Sequence, residues 1–207
     1  MKKILSHITT FSSYQRPRMY GSWHIKDKRV KNTNTEIIDQ SVGDIIEGCR
    51  EKKTDSQRQL YFRYCDDLYT TSCRIMKDGH MAEDALHDAF LLIFRDIKNL
   101  KNNELLLAWM KRVMINTSLK MLQRYRLIEY TDEIVNIDEV QTLNPMDGEH
   151  IYKAISLLAE GCRIVFLLIE VEGYKHKEVA EMLGISIGTS KSQLHYAKQK
   201  LIKMLKE

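Results

Sequence analysis

The sequence predicts an all-α protein of two small helical domains, an N-terminal helical bundle and a C-terminal helix-turn-helix domain, joined by an acidic flexible linker. Three observations lead there. Only nine Gly and two Pro occur in 207 residues and 29% are charged, a balance that favours helices over a turn-rich β protein. Apolar residues recur every three or four positions through 36–126 and again through 150–205, the period of helices with one face in a core. Between them, 127–149 holds seven acids and no base, with the turn signals Asn144-Pro145 and Asp147-Gly148.

Each element has its own warrant. Residues 1–35 mix Ser, Thr, Lys, Arg and Tyr around Pro17 and Gly21 without a period, and read as a poorly structured extension that Trp23 could anchor. A first helix is expected over 37–50, with Ile38, Val42, Ile45 and Ile46 in phase. A second spans 57–75 through Leu60, Tyr61, Tyr64, Leu68 and Ser72, and Asp78-Gly79 breaks it. A third covers 81–97, with Ala85, Leu86, Ala89, Phe90 and Ile93 on one face. A polar loop at 99–103 leads to a fourth helix over 105–125, containing Trp109, Val113, Asn116 and Leu119. Four such helices close a small bundle. Beyond the linker, helices are expected at 150–158, 162–171, 175–183 and 186–205, punctuated by Gly161 and Gly173.

The last two helices form the most specific local pattern. Val179, Ala180 and Leu183 share an apolar face, and Ala180 marks a close helix crossing. Gly184 follows at the C′ position, where a left-handed backbone costs Gly almost nothing. Ser186 is a natural N-cap for the next helix. On that helix Leu194, Ala197, Leu201 and Leu205 make a core stripe, while Lys191, Lys198, Lys200, Lys203 and Lys206 supply charge with no acid before Glu207. Such a unit lays its second helix in the major groove of DNA. The plainer reading is a helical hairpin with a solvated lysine face.

Charge and chemistry narrow the function. The net charge is only +4, but 109–126 holds five basic side chains and no acid. Basic blocks on either side of an acidic one suit a protein that touches nucleic acid in two places. The four cysteines (Cys49, Cys65, Cys73 and Cys162) form no Cys-x-x-Cys pair and have no His at a zinc spacing; they read as reduced thiols. No uninterrupted apolar run is longer than that at 164–169, which is far too short for a membrane span. After Met1-Lys2-Lys3-Ile4-Leu5 come Ser6 and His7, so no signal-peptide core forms. A cytoplasmic protein without membrane insertion is expected. Asp84-x-x-His87, beside Glu83 and Asp88, suggests a metal-carboxylate bundle, but a second such motif is missing. No Gly-rich phosphate loop or nucleophile motif occurs. No catalytic residue, metal, cofactor or small-molecule substrate is expected.

Two further stretches change the weight of these observations: Ala-Glu-Asp-Ala-Leu-His-Asp-Ala-Phe-Leu-Leu-Ile-Phe at 82–94 and Trp-Met-Lys-Arg-Val-Met-Ile-Asn-Thr-Ser at 109–118. With Leu-Ala-Glu-Gly-Cys-Arg-Ile-Val-Phe at 158–166 and the helix-turn-helix, they stand in a fixed order. That order, covering roughly 40–205, resembles the extracytoplasmic-function (ECF) class of bacterial RNA polymerase sigma factors, in wording most like those of Bacteroidetes.

The resemblance implies roles. Residues 36–126 would be a region 2-like domain, 127–149 the linker and 150–207 a region 4-like domain. Partners would be core RNA polymerase (the β′ clamp helices and the β subunit), promoter DNA and an anti-sigma factor. Core polymerase would be bound by Asp84, His87, Asp88 and Phe90. The promoter −10 element would be opened and held by Asn103, Trp109, Lys111, Arg112, Asn116, Lys120 and Arg124, with a flipped base captured by the loop at about 99–107. Trp109, four residues from Val113, reads as core before base-stacking platform. The −35 element would be read by Thr189, Ser190, Lys191, Ser192, His195, Tyr196 and Lys198. Arg163 reads as a phosphate or structural contact, and the acidic linker as a strand that threads polymerase channels.

The chain departs from the family pattern in several places. Ala159 stands where Pro is common, Lys175 where Ser often caps, Ser190 where Val is usual, Lys120 where Asp is frequent, and Gln193 and Tyr196 where Arg is common. These departures bear on promoter preference more than on role. A helix-turn-helix regulator that is not a polymerase subunit accounts for 150–207 but leaves the 82–118 motifs unexplained.

Overall fold

In a computed structural model, residues 41–129 and 148–206 are described. The expected extension, residues 37–40 of the first expected helix and most of the linker lie outside them. Among the described residues every regular element is helical.

The first domain begins with α1, Val42–Arg50, whose N-cap Ser41 accepts the Asp44 N–H at 3.2 Å. Helix α2, Thr54–Met76, starts three residues before the expected position and ends at Lys77, which adopts a left-handed conformation with φ 61°. Asp78 then caps α3, Gly79–Asp96, by accepting the Met81 N–H at 2.8 Å. The Asp78-Gly79 break read from sequence is thus the join between two helices. Two 3-10 turns, Ile97–Asn99 and Asn103–Leu105, replace the expected open loop before α4, Leu106–Glu129.

Helices α2, α3 and α4 pack against one another, and α1 closes on α2 and on the two short turns. Their shared core is Leu60, Leu68, Ile75, Ile93, Met110, Met114 and Ile115, all essentially inaccessible to water. Each such side chain contributes about 1.5–3 kcal/mol. One polar pair sits inside: the Ser72 and Ser118 hydroxyls are 2.9 Å apart, and Ser118 also donates to the Met114 carbonyl at 3.0 Å. Neither hydroxyl is left unsatisfied, which would cost more than the bond itself returns. Helices α1 and α2 approach closely at Gly48, where an added Cβ would lie 2.7 Å from Ser56 Cβ.

The second domain contains α5, Gly148–Ser156; α6, Glu160–Phe166, continued by a π turn at Leu167–Val171; α7, His176–Leu183; and α8, Ile187–Lys206. Helices α5, α6 and α7 each pack on α8. The expected helix at 162–171 is therefore an α-helix that widens by one residue per turn near its end. At the α7 terminus Gly184 is left-handed with φ 65°, and Ser186 accepts the Thr189 N–H at 2.9 Å. The Gly turn and the Ser cap stand as read from sequence. At Lys175, where a Ser cap is missing, the Glu178 carboxylate accepts the Lys175 N–H at 2.9 Å and supplies half of a capping box.

Candidate nucleic-acid and protein interfaces

Helix α3 presents one polar edge outward. Asp84, His87 and Asp88 are exposed at helical spacing, and Leu91, 69% exposed, extends the same edge by one turn. Phe90 does not belong with them. It is 3% exposed and its ring lies 4.6 Å from that of Tyr61 and 5.6 Å from that of Phe94. The assignment of Phe90 to a partner surface is corrected: position 90 is on the buried side of α3, and the apolar residue offered outward is its neighbour Leu91. A face count along the helix, 84, 87, 88, 91, would have found it.

The loop before α4 is braced from α1. The Arg50 guanidinium donates to the Leu100 carbonyl at 2.7 Å and reaches Asn103 Oδ1 at 3.5 Å. Asn102 accepts the Glu104 N–H at 2.9 Å. Asn103 is exposed, and Leu105 and Leu107 beside it are exposed apolar residues on the same rim. The sequence reading missed Arg50. A lone base at the end of an amphipathic helix carries no signal until the loop it holds is in place.

Along α4, Arg112, Lys120 and Arg124 are exposed, and Asn116 is half-buried. Trp109 is half-buried and packed on the core, as its spacing from Val113 implied. Lys111 is engaged: its Nζ lies 2.9 Å from Glu172 Oε2 in the second domain. Among the described residues no group of three or more His, Cys, Asp or Glu side chains is placed to hold a metal ion.

On α8, Thr189, Lys191, Ser192, His195 and Tyr196 are exposed on the leading turns. Ser190 is the exception. It is fully buried, and its hydroxyl is 2.9 Å from His176 Nδ1 on α7. Assignment of Ser190 to the DNA surface is corrected: it sits at the α7–α8 crossing, where a polar group needs an internal partner, and His176 provides one. Gln193 also points inward, since a Cβ built on Gly161 would meet its Nε2 at 2.9 Å. Lys198 is half-buried, with Nζ 2.6 Å from Glu170 Oε1.

Arg163 resolves to a structural contact. It is buried and donates to the carbonyls of Arg74 and Ile75, the latter at 2.7 Å. These are among the last carbonyls of α2, which have no partner within their own helix. A cation there also meets the negative end of the helix dipole. Burial and the Arg163 charge hold the Lys77 ammonium below its usual range.

Two family models match the chain: Sigma-70 region 2 over residues 60–127 and Sigma-70, region 4 over residues 149–201. The chain is similar to the RNA polymerase sigma-E factor of Streptomyces avermitilis, 30% identical over 139 residues that make up 66% of this chain and 77% of that protein. It is similar to the RNA polymerase sigma factor CarQ of Myxococcus xanthus, 23% identical over 167 residues, 78% of this chain and 96% of that one. The ECF RNA polymerase sigma factor SigE of Mycolicibacterium smegmatis is 26% identical over 153 residues, 69% of this chain; the chain spans 59% of the length of that relative. Among solved structures, the sigma factor RpoE of Bartonella quintana, crystallised with the anti-sigma factor NepR, aligns at a TM-score of 0.49 and 23% identity, covering 72% of this chain and 96% of that one. CnrH in complex with the cytosolic domain of CnrY aligns at 0.47 and 17%, covering 79% of this chain and 96% of that one.

Proposed function

Because the chain belongs to the extracytoplasmic-function family of RNA polymerase sigma factors, we propose that it binds core RNA polymerase in the cytoplasm and directs promoter recognition, DNA melting and transcription initiation. The chain supplies address and opening; bond formation belongs to the polymerase, and the protein itself is not an enzyme. In this reading 36–126 is the region 2 domain, 127–149 the linker and 150–207 the region 4 domain.

The observation that carries the reading is that one chain bears two separate basic surfaces, on α4 and α8, together with an exposed mixed edge on α3 that neither surface uses. A DNA-only regulator needs one reading helix. Here the Asp84–Leu91 edge is left for a protein partner, and its one bulky apolar side chain among polar ones suits the β′ clamp helices. Thr189, Lys191, Ser192, His195 and Tyr196 stand at the start of α8, where a recognition helix meets base edges and phosphates of the −35 duplex. Arg112, Lys120 and Arg124 line α4 without an acid among them and follow the backbone of a single strand from the −10 element. The rim at Asn103, Leu105 and Leu107, held by Arg50, is positioned to receive an unstacked base. An anti-sigma factor is the expected regulator.

The test is run-off transcription with purified core polymerase on a cognate promoter. Wild type directs specific initiation, Lys191→Ala lowers promoter binding, and Asp84→Ala lowers retention on core polymerase. A chain that never co-purifies with core polymerase sinks the reading. Unchanged transcription in both variants sinks the residue assignments alone.

A further inference from the structure

The first helical domain is almost neutral, although it is the one assigned to hold an opened DNA strand. Residues 36–126 carry 15 Lys and Arg against 14 Asp and Glu. The segment before it is very different. Residues 1–35 carry eight Lys and Arg against a single acid, Asp27. Four of those bases crowd together as Lys26, Lys28, Arg29 and Lys31, and four aromatic residues, Phe11, Tyr14, Tyr20 and Trp23, stand before them. Basic side chains accompanied by aromatic ones form the composition that holds single-stranded nucleic acid. The cations follow the phosphates, and the rings stack on bases of any sequence.

The structure fixes where that segment joins the domain. Ser41, the N-cap of α1, and Asn103, on the rim before α4, flank one glycine: a Cβ built on Gly43 would lie 3.6 Å from Ser41 Oγ and 4.0 Å from Asn103 Nδ2. The chain therefore enters the fold beside the rim assigned to an unstacked base. Lys31 is ten residues before Ser41, so it lies within ~35 Å of that entry at full extension. The acidic linker, the other strongly charged segment of the chain, leaves from the far end of α4. That helix has 24 residues, which at a rise of ~1.5 Å each put its far end ~36 Å from the rim. The polyanion closest to the entry is a strand lying on the rim.

We propose that residues 1–35 are a third DNA-contacting element, which binds the opened single strand beside the Asn103 rim, with Lys26, Lys28, Arg29 and Lys31 on phosphates and Trp23 stacked on a base. The proposal rests on the sigma-factor reading for which strand is held there. It divides the work of holding melted DNA. Helix α4 offers Arg112, Lys120 and Arg124 from a domain whose charges otherwise cancel, and the preceding segment supplies the surplus that keeps a strand from re-annealing. A duplex also presents phosphates, but its bases are stacked on one another. The stacking part of the grip is therefore open only to DNA that has been unpaired.

The experiment uses the full chain without polymerase. Binding of a fluorescent oligo-thymidine strand, and of a duplex of the same length, is followed by anisotropy across a salt series. Replacing Lys26, Lys28, Arg29 and Lys31 together by Gln is expected to make the salt slope for the strand shallower by about two to three, at ~0.7 per phosphate contact. The charge-keeping set Lys26→Arg, Lys28→Arg and Lys31→Arg keeps the wild-type slope. Trp23→Ala is expected to weaken strand binding about tenfold with the slope and the duplex affinity unchanged, and Trp23→Phe restores most of the loss. An unchanged slope in the Gln set, or unchanged strand affinity in Trp23→Ala, overturns the proposal. Tighter strand binding by the Gln set also overturns it, by assigning those bases to the acidic linker. Equal losses on strand and duplex in Trp23→Ala overturn it as well, since no stacking on an unpaired base is then at work. Failure of the wild type to join core polymerase would sink the functional reading while leaving the strand-binding result intact.

Discussion

The two domains differ in the length of their helices more than in the side chains that fill them. In the first, helices of 23, 18 and 24 residues meet through Leu, Ile and Met, and the working residues lie on outer edges and on a braced loop. In the second, α6 and α7 have seven and eight residues, and each domain buries three alanines, Ala82, Ala85 and Ala89 on α3 and Ala154, Ala180 and Ala197 on α5, α7 and α8. In both, one step along a helix separates a buried residue from a working one, as Phe90 stands beside Leu91 and Ser190 between Thr189 and Lys191.

The largest effect should break the bundle. Phe90→Ala is expected to cost ~3–5 kcal/mol, measured as a shift of the denaturant midpoint, while Leu91→Ala stays within about 0.5 kcal/mol and instead weakens retention on core polymerase. Equal stability of the two variants would mean that α3 is turned the other way. Next, Ala180→Leu should cost about 1–3 kcal/mol by overpacking the α7–α8 crossing, lowering the melting temperature. A neutral result there would mean that the α7–α8 crossing has room for a larger side chain.

A finer contrast lies within α8. Ser190→Ala is expected to cost ~1 kcal/mol by leaving His176 without its partner and to leave duplex affinity of the folded protein unchanged. Lys191→Ala should do the reverse: no change in melting, weaker duplex binding, and a salt slope shallower by about one. The mildest probe compares thiols. Burial pushes the Cys49 thiol up to about 11; burial also raises that of Cys162, with Lys200 opposing it. A raised value means less thiolate at pH 8, so Cys49 should be alkylated more slowly than Cys162 in the native protein, by mass spectrometry of timed samples.

The fold was legible because periodicity, punctuation and caps agreed. Asp78-Gly79, Gly184 and Ser186 mark real helix ends, and each does so by a local mechanism that needs no tertiary contact. Phe90 and Ser190 were misplaced for the opposite reason. Motif position says which helix a residue is on, whereas one step around a helix is ~100° and decides between core and solvent. The departure at Ser190 reads as altered promoter preference until His176 is seen against it. Of the three departures on α8, Tyr196 alone faces outward, since Gln193 and Ser190 turn toward the core. Arg50 and the Glu172–Lys111 pair were invisible because each depends on residues brought together from distant segments, 50 and 61 positions apart.

The Arg163 contact also has a meaning in time. A ribosome releases the carbonyl of Ile75 88 residues before the guanidinium that will cover it. At ~5–20 residues per second that interval is roughly 4–18 s. Through it, the nascent first domain holds one helix end open to water, and the emerging second domain finds a negatively polarised site already waiting for its arginine.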